Sequence, residues 1–485
     1  MGRVTVTSFD ARTICKAEAH ESQSTVSEHA VTYGPGQSQV AQGLARVVGG
    51  LALFVACVAA SAQVQMAAQD GQSPQSGAED PFFKDAKAGY HFRTFFMDKE
   101  NPNGSINEAW AAGGWLFGRT GFWRDTLQLG ATYYFSLPVY APDDKGGTQL
   151  LTPDQGSISV LGELYARLRY EKQTLTLYRQ EIEMGYPRPA GVRSNRSDLS
   201  YVGKLDNRMV PVTYQAALLG GPIVSDSPTI GTLNYWAGYL WDAKPRDSSE
   251  FISMGQAIGA KNSGAGMTMA GLQWSPLPGL WTQAWYHQVN DVLNIGFFDF
   301  DYVSRLSKES YWRLATQYTS QTSAGGSALT GSSFSTWNWE GYGEFGWQWL
   351  TLYGAYSTIG EGQQIRTPFS SGPIYTQMVT RSFTQAGEDT WLLGVAVKLD
   401  ALAPGLSFWF DVADGRNAVN PNTGAALPDE REYDIGFVWT YREKGSMFDG
   451  LRVRLRNGWV YDYGPAGTKS GTDLRLDINW PIPFL

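Results

Sequence analysis

The sequence carries little charge and almost no cysteine. Charged residues make up 17% of its 485 residues, whereas a soluble protein of this size usually carries about a quarter. Its two cysteines, Cys15 and Cys57, both lie near the N-terminus, so no disulfide or cysteine-ligated metal can stabilise the rest of the chain. No run of about 20 apolar residues follows residue 62, which excludes membrane-spanning helices. The formal net charge of −8 argues against a nucleic-acid partner, which would favour a basic surface.

Aromatic residues and glycine, by contrast, are abundant. Aromatics make up 14% of the chain and there are 55 glycines, yet the mean hydropathy is only −0.28. A membrane β-barrel combines these properties, because each of its strands faces lipid with only every second residue. The composition therefore favours an all-β chain that forms a transmembrane antiparallel β-barrel.

The first 62 residues are predicted to form a leader with a secretory signal peptide. An apolar run from Val47 to Ala60 ends at Ala60-Ser61-Ala62, which has the small-residue pattern of a cleavage site. Cys57 could be interpreted as a lipidation site, but Phe54 stands where the usual motif has leucine. Residues 63–82 are predicted to be a flexible periplasmic lead-in, and residues 83–485 the barrel.

Apolar and polar residues alternate with a period of two from residue 83 onwards. Segments 127–137, 431–442 and 472–484 show the alternation most clearly, whereas a helix would need apolar residues three and four positions apart. Bacterial single-chain barrels have an even number of strands. The alternation predicts about 18 of them, at 84–96, 109–118, 126–137, 159–170, 174–180, 212–222, 231–241, 267–274, 280–289, 295–304, 309–320, 336–346, 349–357, 389–399, 405–412, 431–442, 450–461 and 472–484.

Short and long connections alternate between these predicted strands. Outer-membrane barrels have short periplasmic turns and long external loops. The last strand is predicted to pair with the first, because bilayer hydrocarbon cannot form hydrogen bonds with an open sheet edge. The long connections are 138–158, 181–211, 242–266, 358–388 and 413–430.

Several segments also resemble a known family. They include LTLYRQEIEMGYP at 175–187, LDNRMVPVTYQAALLGG at 205–221, NDVLNIGFFDFDY at 290–302 and LRVRLRNGWVYDYG at 451–464. In this order along the chain they resemble the OprD family of substrate-specific outer-membrane porins, and the similarity covers almost all of residues 82–485. The resemblance implies an 18-stranded barrel, a lumen narrowed by inward-folded loops, and a row of arginines that guides carboxylate-bearing substrates. Many outer-membrane proteins end in phenylalanine, whereas here Leu485 follows Phe484.

One row of arginines can be placed from the sequence alone. Arg452, Arg454 and Arg456 alternate with apolar residues, so a strand places all three on one face. An arginine facing lipid at mid-bilayer costs about 2–4 kcal/mol, so this face is expected to line the lumen. The alternative is that the arginines only pair with acids of the lumen, and both interpretations can hold in part. Further candidates are Arg93, Arg167, Arg169, Arg313 and Arg475, and the candidate acids are Glu163, Asp299, Asp301, Asp434 and Asp477.

The loop 181–211 resembles the loop that folds into the barrel in this family. It could instead be a solvated external loop. Asp206, Asn207 and Arg208 could hold the loop to the barrel wall or contact the solute. The remaining arginines of this candidate constriction are Arg188, Arg193 and Arg196.

Tryptophans at the predicted strand ends suit a girdle at the membrane interface. The alternative is a slide on which sugars stack, as in saccharide channels. The candidate residues are Trp236, Trp241, Trp281, Trp285, Trp339, Trp347, Trp349 and Trp480.

Enzymatic functions have little support. Only His91 and His287 lie beyond the leader, and no metal-binding or nucleophile motif accompanies them. No metal or cofactor is expected.

The sequence therefore predicts a passive outer-membrane porin for small carboxylate-bearing solutes, such as organic acids, amino acids or short peptides. A porin of the same fold that conducts saccharides is the main alternative, and a hydrolase built into the barrel is a third. The expected partners are outer-membrane lipid, small anionic or zwitterionic solutes and the barrel-assembly machinery. A loose homo-oligomer is left open.

The leader yields a direct prediction. Cleavage after Ala62 should give a mature chain that starts at Gln63, because the small-residue pattern ends there. N-terminal sequencing of the membrane-inserted protein checks this. A chain that starts well before residue 60, or at a lipidated Cys57, would contradict it.

Overall fold

The barrel accounts for nearly all of the structure. The computed structural model describes residues 81–184, 201–369, 373–465 and 467–484. The predicted leader and most of the lead-in lie outside these residues, as do Arg188, Arg193 and Arg196 of the predicted constriction loop.

The described residues form nineteen strands. In chain order they are β1 (Lys87–Glu100), β2 (Ile106–Arg119), β3 (Leu127–Tyr140), β4 (Ile158–Tyr170), β5 (Gln173–Gln180), β6 (Thr213–Ser227), β7 (Gly231–Lys244), β8 (Ile252–Ser253), β9 (Met267–Ser275), β10 (Leu280–Val289), β11 (Leu293–Arg305), β12 (Ser310–Ser323), β13 (Ser335–Trp347), β14 (Leu350–Ile359), β15 (Asp389–Lys398), β16 (Leu406–Arg416), β17 (Asp429–Thr440), β18 (Arg452–Gly464) and β19 (Gly467–Pro483).

Helical structure is minor. The helical elements among the described residues are Pro81–Lys84, Met254–Ala257 and the 3-10 turn Asp143–Lys145. In this part of the chain, no helix has the length and apolar character to cross a membrane.

The sheet closes on itself. Each long strand pairs antiparallel with its neighbours along the chain, and β1 pairs with both β2 and β19. The β1–β19 ladder extends from Gly89 opposite Pro483 to Glu100 opposite Thr472. The two-residue strand β8 pairs only with β7, which also pairs directly with β9. Eighteen strands therefore form the barrel wall, and the predicted fold is confirmed.

Alternation determines which side chains face the lumen. On β18 and β19, Arg456, Asp473 and Asp477 are buried inside, whereas Leu455 and Leu476 are exposed on the outer face. Polar side chains turn inwards because lipid offers them no hydrogen-bond partners.

The same alternation corrects the predicted girdle. Trp285 is buried and donates a hydrogen bond to Gln283, and Trp236 donates one to Gln273. Trp281 lies on the inward-facing positions of β10 with Gln283 and Trp285. These three tryptophans therefore lie on the lumen side of the wall. Trp241, Trp339, Trp347 and Trp349 are exposed on the outer surface.

One glycine of the wall is required by backbone geometry. Gly114 in β2 has φ +129°, and a Cβ atom there would lie 1.8 Å from the carbonyl oxygen of His91. In contrast, a Cβ at Gly343 in β13 would contact only Leu314, at 3.8 Å.

Gly114→Ala should therefore destabilise the barrel much more than Gly343→Ala. The unfavourable φ alone costs about 1–3 kcal/mol, and the overlap with His91 adds to it. The fraction of protein that keeps its folded mobility on a detergent gel after graded heating measures the effect. Equal heat resistance of the two variants would contradict the prediction.

Candidate functional site

Residues 201–212, after β5 and before β6, cross the inside of the barrel. At one end, Tyr201 donates a hydrogen bond from its hydroxyl to Thr319 Oγ1 on β12, at 2.9 Å. In the middle of this stretch, Arg93 on β1 donates a hydrogen bond from Nη1 to Asp206 Oδ1, at 2.5 Å. β1 and β12 are eight strands apart in one direction round the eighteen-stranded wall and ten strands apart in the other, so they lie on opposite sides of the barrel. The segment therefore spans the lumen and narrows it. We call residues 201–212 the constriction segment.

The Asp206-Asn207-Arg208 sequence ties the constriction segment to its surroundings. Arg93 binds Asp206 and also donates to the carbonyl oxygen of Arg208, at 2.6 Å. Asn207 accepts a hydrogen bond from Arg246, and Arg208 donates from Nε to the carbonyl oxygen of Thr148 at 2.9 Å. Burial would raise the pKa of Asp206, but Arg93 outweighs it and lowers the pKa to about 2. Asp206 therefore stays ionised at neutral pH.

The constriction segment separates two cavities. One has a volume of about 420 Å³ and is lined by Leu205, Asn207 and Arg208 together with residues of the long loops. The other has a volume of about 520 Å³ and is lined by Lys204 and Asp206 together with the ends of β2 and β4 that adjoin short turns. We call them the loop-side cavity and the turn-side cavity. The constriction segment thus contributes side chains to both cavities.

The two cavities differ in charge. The charged residues that line the loop-side cavity are four cations and one acid, namely Lys99, Arg208, Arg246, Arg475 and Asp247. The turn-side cavity has three cations and four acids: Arg119, Arg167, Lys204, Glu163, Glu181, Glu183 and Asp206. A solute that crosses the barrel from the loop side therefore leaves a cavity with mostly positive charge and enters one with charges of both signs.

The turn-side cavity contains a carboxyl group that titrates near neutral pH. Burial, followed by repulsion from Glu163, raises the pKa of Glu181 to about 7. Lys204 lies 3.1 Å from Glu183 and 3.7 Å from Glu181. Burial would lower the pKa of Lys204, but the two carboxylates outweigh it and raise the pKa.

The arginine row of β18 lies beside the anchor of the constriction segment. Arg452 and Arg93 are both in register with Asn479 of β19. Arg454 donates from Nε to Asp477 at 2.8 Å, and Arg456 lies 3.5 Å from the same carboxylate. The buried Nε of Arg452 has no hydrogen-bond partner in the described part of the chain. Three cations thus lie near one acid on this stretch of wall.

The other predicted arginines occupy different environments. Arg475 lines the loop-side cavity and is paired with Asp473, at 2.5 Å. Arg167 lines the turn-side cavity and donates to Thr176 Oγ1 at 3.1 Å. Arg169 pairs with Asp125 beside the turn that precedes β3.

Arg313 fits the alternative in which an arginine of the lumen pairs with acids of the lumen. It faces the interior, but its side chain is fully buried and contacts Asp301 at 2.6 Å and Glu344 at 3.9 Å. It cannot contact a passing solute without breaking these pairs. Of the other predicted acids, Glu163 accepts hydrogen bonds from Thr132 and from the Glu181 backbone, and Asp299 accepts one from Tyr375 at 3.0 Å.

A second inward segment was not predicted. The long connection between β14 and β15, expected outside the barrel, lies against the inner wall over residues 373–388. Asp434 accepts a hydrogen bond from the backbone N–H of Val379 at 2.8 Å, and Glu432 accepts those of Thr380 and Arg381. The signal in the sequence was the alternating row of acids on β17, Glu430, Glu432 and Asp434.

The two histidines do not form a catalytic arrangement. His91 stacks on Trp115 with ring centroids 4.0 Å apart, and its Nε2 lies 3.3 Å from Asn479 Oδ1. His287 is buried, and neither ring nitrogen has a hydrogen-bond partner within the described ranges. Among those residues, no group of three or more His, Cys, Asp or Glu side chains could hold a metal ion.

The family of the chain follows from its match to a family model. The model described as outer membrane porin, OprD family, matches residues 80–484. The chain belongs to the OprD family. This OprD-family porin is therefore a protein of the bacterial outer membrane, with its apolar outer face in contact with lipid.

Solved structures share the fold at low sequence identity. Pseudomonas aeruginosa OccK9 (OpdG) has a TM-score of 0.71 at 18% identity, covering 84% of this chain and 100% of that chain. Acinetobacter baumannii OccAB1 has a TM-score of 0.70 at 15% identity, covering 85% and 100%. Pseudomonas aeruginosa OpdK, solved with vanillate, has a TM-score of 0.69 at 18% identity, covering 83% and 99%. None of the curated proteins compared matches the chain significantly in sequence.

Glu181 provides a pH-dependent prediction for this porin. Acidification from about pH 8 to about pH 6, one unit on either side of its pKa, removes most of one negative charge from the turn-side cavity. The reversal potential in a KCl gradient across a planar bilayer should shift towards anion selectivity over this range.

Glu181→Gln should abolish the shift, whereas the matched control Glu183→Gln, which removes a more exposed carboxylate from the same cavity, should keep it. A pH-dependent shift that persists in Glu181→Gln would show that another group titrates in this range.

Proposed function

We propose that this porin conducts small carboxylate-bearing solutes, such as organic acids, amino acids or short peptides, by passive and selective diffusion. The observation that carries the proposal is the charge of the loop-side cavity, where four cations face one acid directly beside the constriction. A cavity with this excess of positive charge attracts anions and repels cations.

The arginine row of β18 extends this positive region along the wall. A cation attracts a carboxylate more strongly in a narrow pore than in bulk water, because the effective dielectric constant is lower. A series of guanidinium groups offers the solute successive hydrogen-bonding partners. Conduction also requires that each contact be weak enough for release. Arg454 and Arg456 share Asp477, which moderates their attraction for the solute.

The solved neighbour OpdK contains vanillate, which carries one carboxylate. This agrees with the proposed solute class, although the two chains share only 18% identity. We also propose that the chain acts as a channel without catalytic activity.

Saccharide conduction is the second candidate, because aromatic residues line the turn-side cavity. They include Trp115, Tyr134 and Tyr165. Two of these rings are already covered, since His91 stacks on Trp115 and the Arg167 guanidinium lies 5.1 Å from the Tyr165 ring centroid. A sugar slide needs accessible ring faces, so the geometry favours carboxylates.

The remaining proposals rest on the sequence. Residues 1–62 are proposed to act as a removable leader and residues 63–82 as a periplasmic lead-in. The terminal strand would present the chain to the barrel-assembly machinery. A loose homo-oligomer is compatible with the closed barrel.

Charge reversal of the arginine row tests the proposed function. Arg454→Glu combined with Arg456→Glu should cut carboxylate flux about tenfold or more and raise the cation current, because a change of four charge units reverses the local potential. Uptake of propionate, glycine and glucose into proteoliposomes measures the change. The matched control is the double variant Lys308→Glu and Lys444→Glu, which makes the same change of charge at exposed turns.

Arg454→Gln combined with Arg456→Gln serves as a second variant, because it avoids placing a glutamate beside Asp477. If the folded variants pass carboxylates at the original rate, the arginines only neutralise acids of the lumen. If glucose flux exceeds propionate flux in the unmodified porin, the saccharide alternative is correct.

A further inference from the structure

Three of the four cations of the loop-side cavity have no ion-pair partner in the described part of the chain. Arg475 is paired with Asp473. Arg208 donates its hydrogen bonds to the backbone carbonyl oxygens of Thr148 and Asn207. Arg246 donates to the side-chain amide oxygens of Asn207 and Gln149, and Lys99 lines the cavity without an ion pair. Arg208 and Arg246 thus donate to neutral oxygens, and no carboxylate forms an ion pair with any of these three cations in the described residues.

These cations are also close enough to repel one another. Only 8% of Arg208 is exposed. Burial, followed by repulsion from Arg475 and Arg246, brings the pKa of Arg208 well below its usual range. Burial also lowers the pKa of Arg246 to about 10. Buried like charges are costly unless a counter-charge accompanies them, so the arrangement favours an occupied cavity.

The three cations come from different elements around the cavity. Lys99 lies near the end of β1, Arg208 on the constriction segment, and Arg246 on the connection that follows β7. This distribution suits a solute whose negative charges are separated along its skeleton better than one with a single charged group. A volume of about 420 Å³ admits a small organic acid with several carboxylates.

We propose that the loop-side cavity is a binding site for solutes with two or three carboxylates, and that it favours them over monocarboxylates before they reach the constriction. This inference rests on the proposed function. Solutes with two or three carboxylates are a subclass of the proposed solutes. Lys99 and Arg246, and not the arginine row of β18, determine the preference for them.

Electrostatics gives the preference a quantitative signature. The interaction energy between a cation and a solute scales with the charge of the solute. Removing one cation should therefore lower the binding affinity for every anion. If the affinity for a monoanion falls by a given factor, the affinity for a dianion should fall by roughly the square of that factor, and the affinity for a trianion by roughly its cube. If propionate binding weakens about twofold, succinate should weaken about fourfold and tricarballylate about eightfold.

The test uses the full-length porin in planar bilayers at low ionic strength, where charge interactions are least screened. Propionate, succinate and tricarballylate are added on the loop side, and the concentration that halves the chloride current gives an apparent affinity. Inorganic phosphate is added as an anion without carboxylates. The variants are Lys99→Gln, which leaves the ion pairs and hydrogen bonds around the cavity in place, and Arg246→Gln, which keeps an amide donor near Asn207. Lys261→Gln is the control, because Lys261 is exposed on the same connection as Arg246.

In the unmodified porin, tricarballylate should bind most tightly and propionate least. Both cavity variants should reduce affinity with the graded dependence on solute charge, and Lys261→Gln should leave all affinities within about twofold. Equal losses for all three carboxylates would overturn the inference while leaving carboxylate conduction intact. If phosphate binds as tightly as succinate, the cavity selects by charge and not by the separation of carboxylates, and the inference is also overturned. If no carboxylate reduces the current or crosses the pore, the proposed function itself fails.

Discussion

The structure depends on one constraint, that bilayer hydrocarbon offers no partner to an unpaired backbone N–H or C=O group. The ladder between β1 and β19 joins the two ends of the sheet, so that neither edge strand is left with unpaired backbone groups. It extends from Gly89 opposite Pro483 to Glu100 opposite Thr472. Closure leaves an outer and an inner face, and alternation along the strands, interrupted at a few register shifts, divides the side chains between them. The polar half of each strand is thereby concentrated in the lumen. Charged side chains in the lumen then pair with one another, as Arg313 does with Asp301 and Arg475 with Asp473.

Those inward charges hold the loops that narrow the pore. Arg93 binds Asp206 and the carbonyl oxygen of Arg208, while Glu432 accepts the backbone N–H groups of Thr380 and Arg381. A carboxylate that accepts backbone N–H groups gives a strong, charge-assisted interaction. It also satisfies backbone that would otherwise be unpaired inside the barrel. The charges of the wall therefore position the two inner segments, and these segments determine the shape of both cavities.

The strands were predictable from the sequence because alternation is local, and every predicted strand overlaps an observed one. Partners across the lumen were not predictable, since they depend on loop paths over long sequence separations. Arg313 and Arg454 both alternate with apolar residues in the sequence. The side chain of Arg313 is fully buried against Asp301 and Glu344, whereas that of Arg454 stays partly exposed beside Asp477. Lys99 and Arg246 carry no pattern in the sequence, because their common cavity forms only when β1 and a loop beyond β7 meet the constriction segment.

Selective diffusion requires attraction that varies along the path more than attraction that is strong at one point. Binding must favour entry without preventing release. The loop-side cavity has cations without carboxylate partners, the β18 wall has Arg454 and Arg456 sharing Asp477, and the turn-side cavity has more acids than cations. An anion that enters from the loop side therefore meets positive charge that is progressively better compensated. Since the constriction segment contributes Arg208 to one cavity and Asp206 to the other, this one segment supplies both a cation that attracts a carboxylate and an acid that repels it.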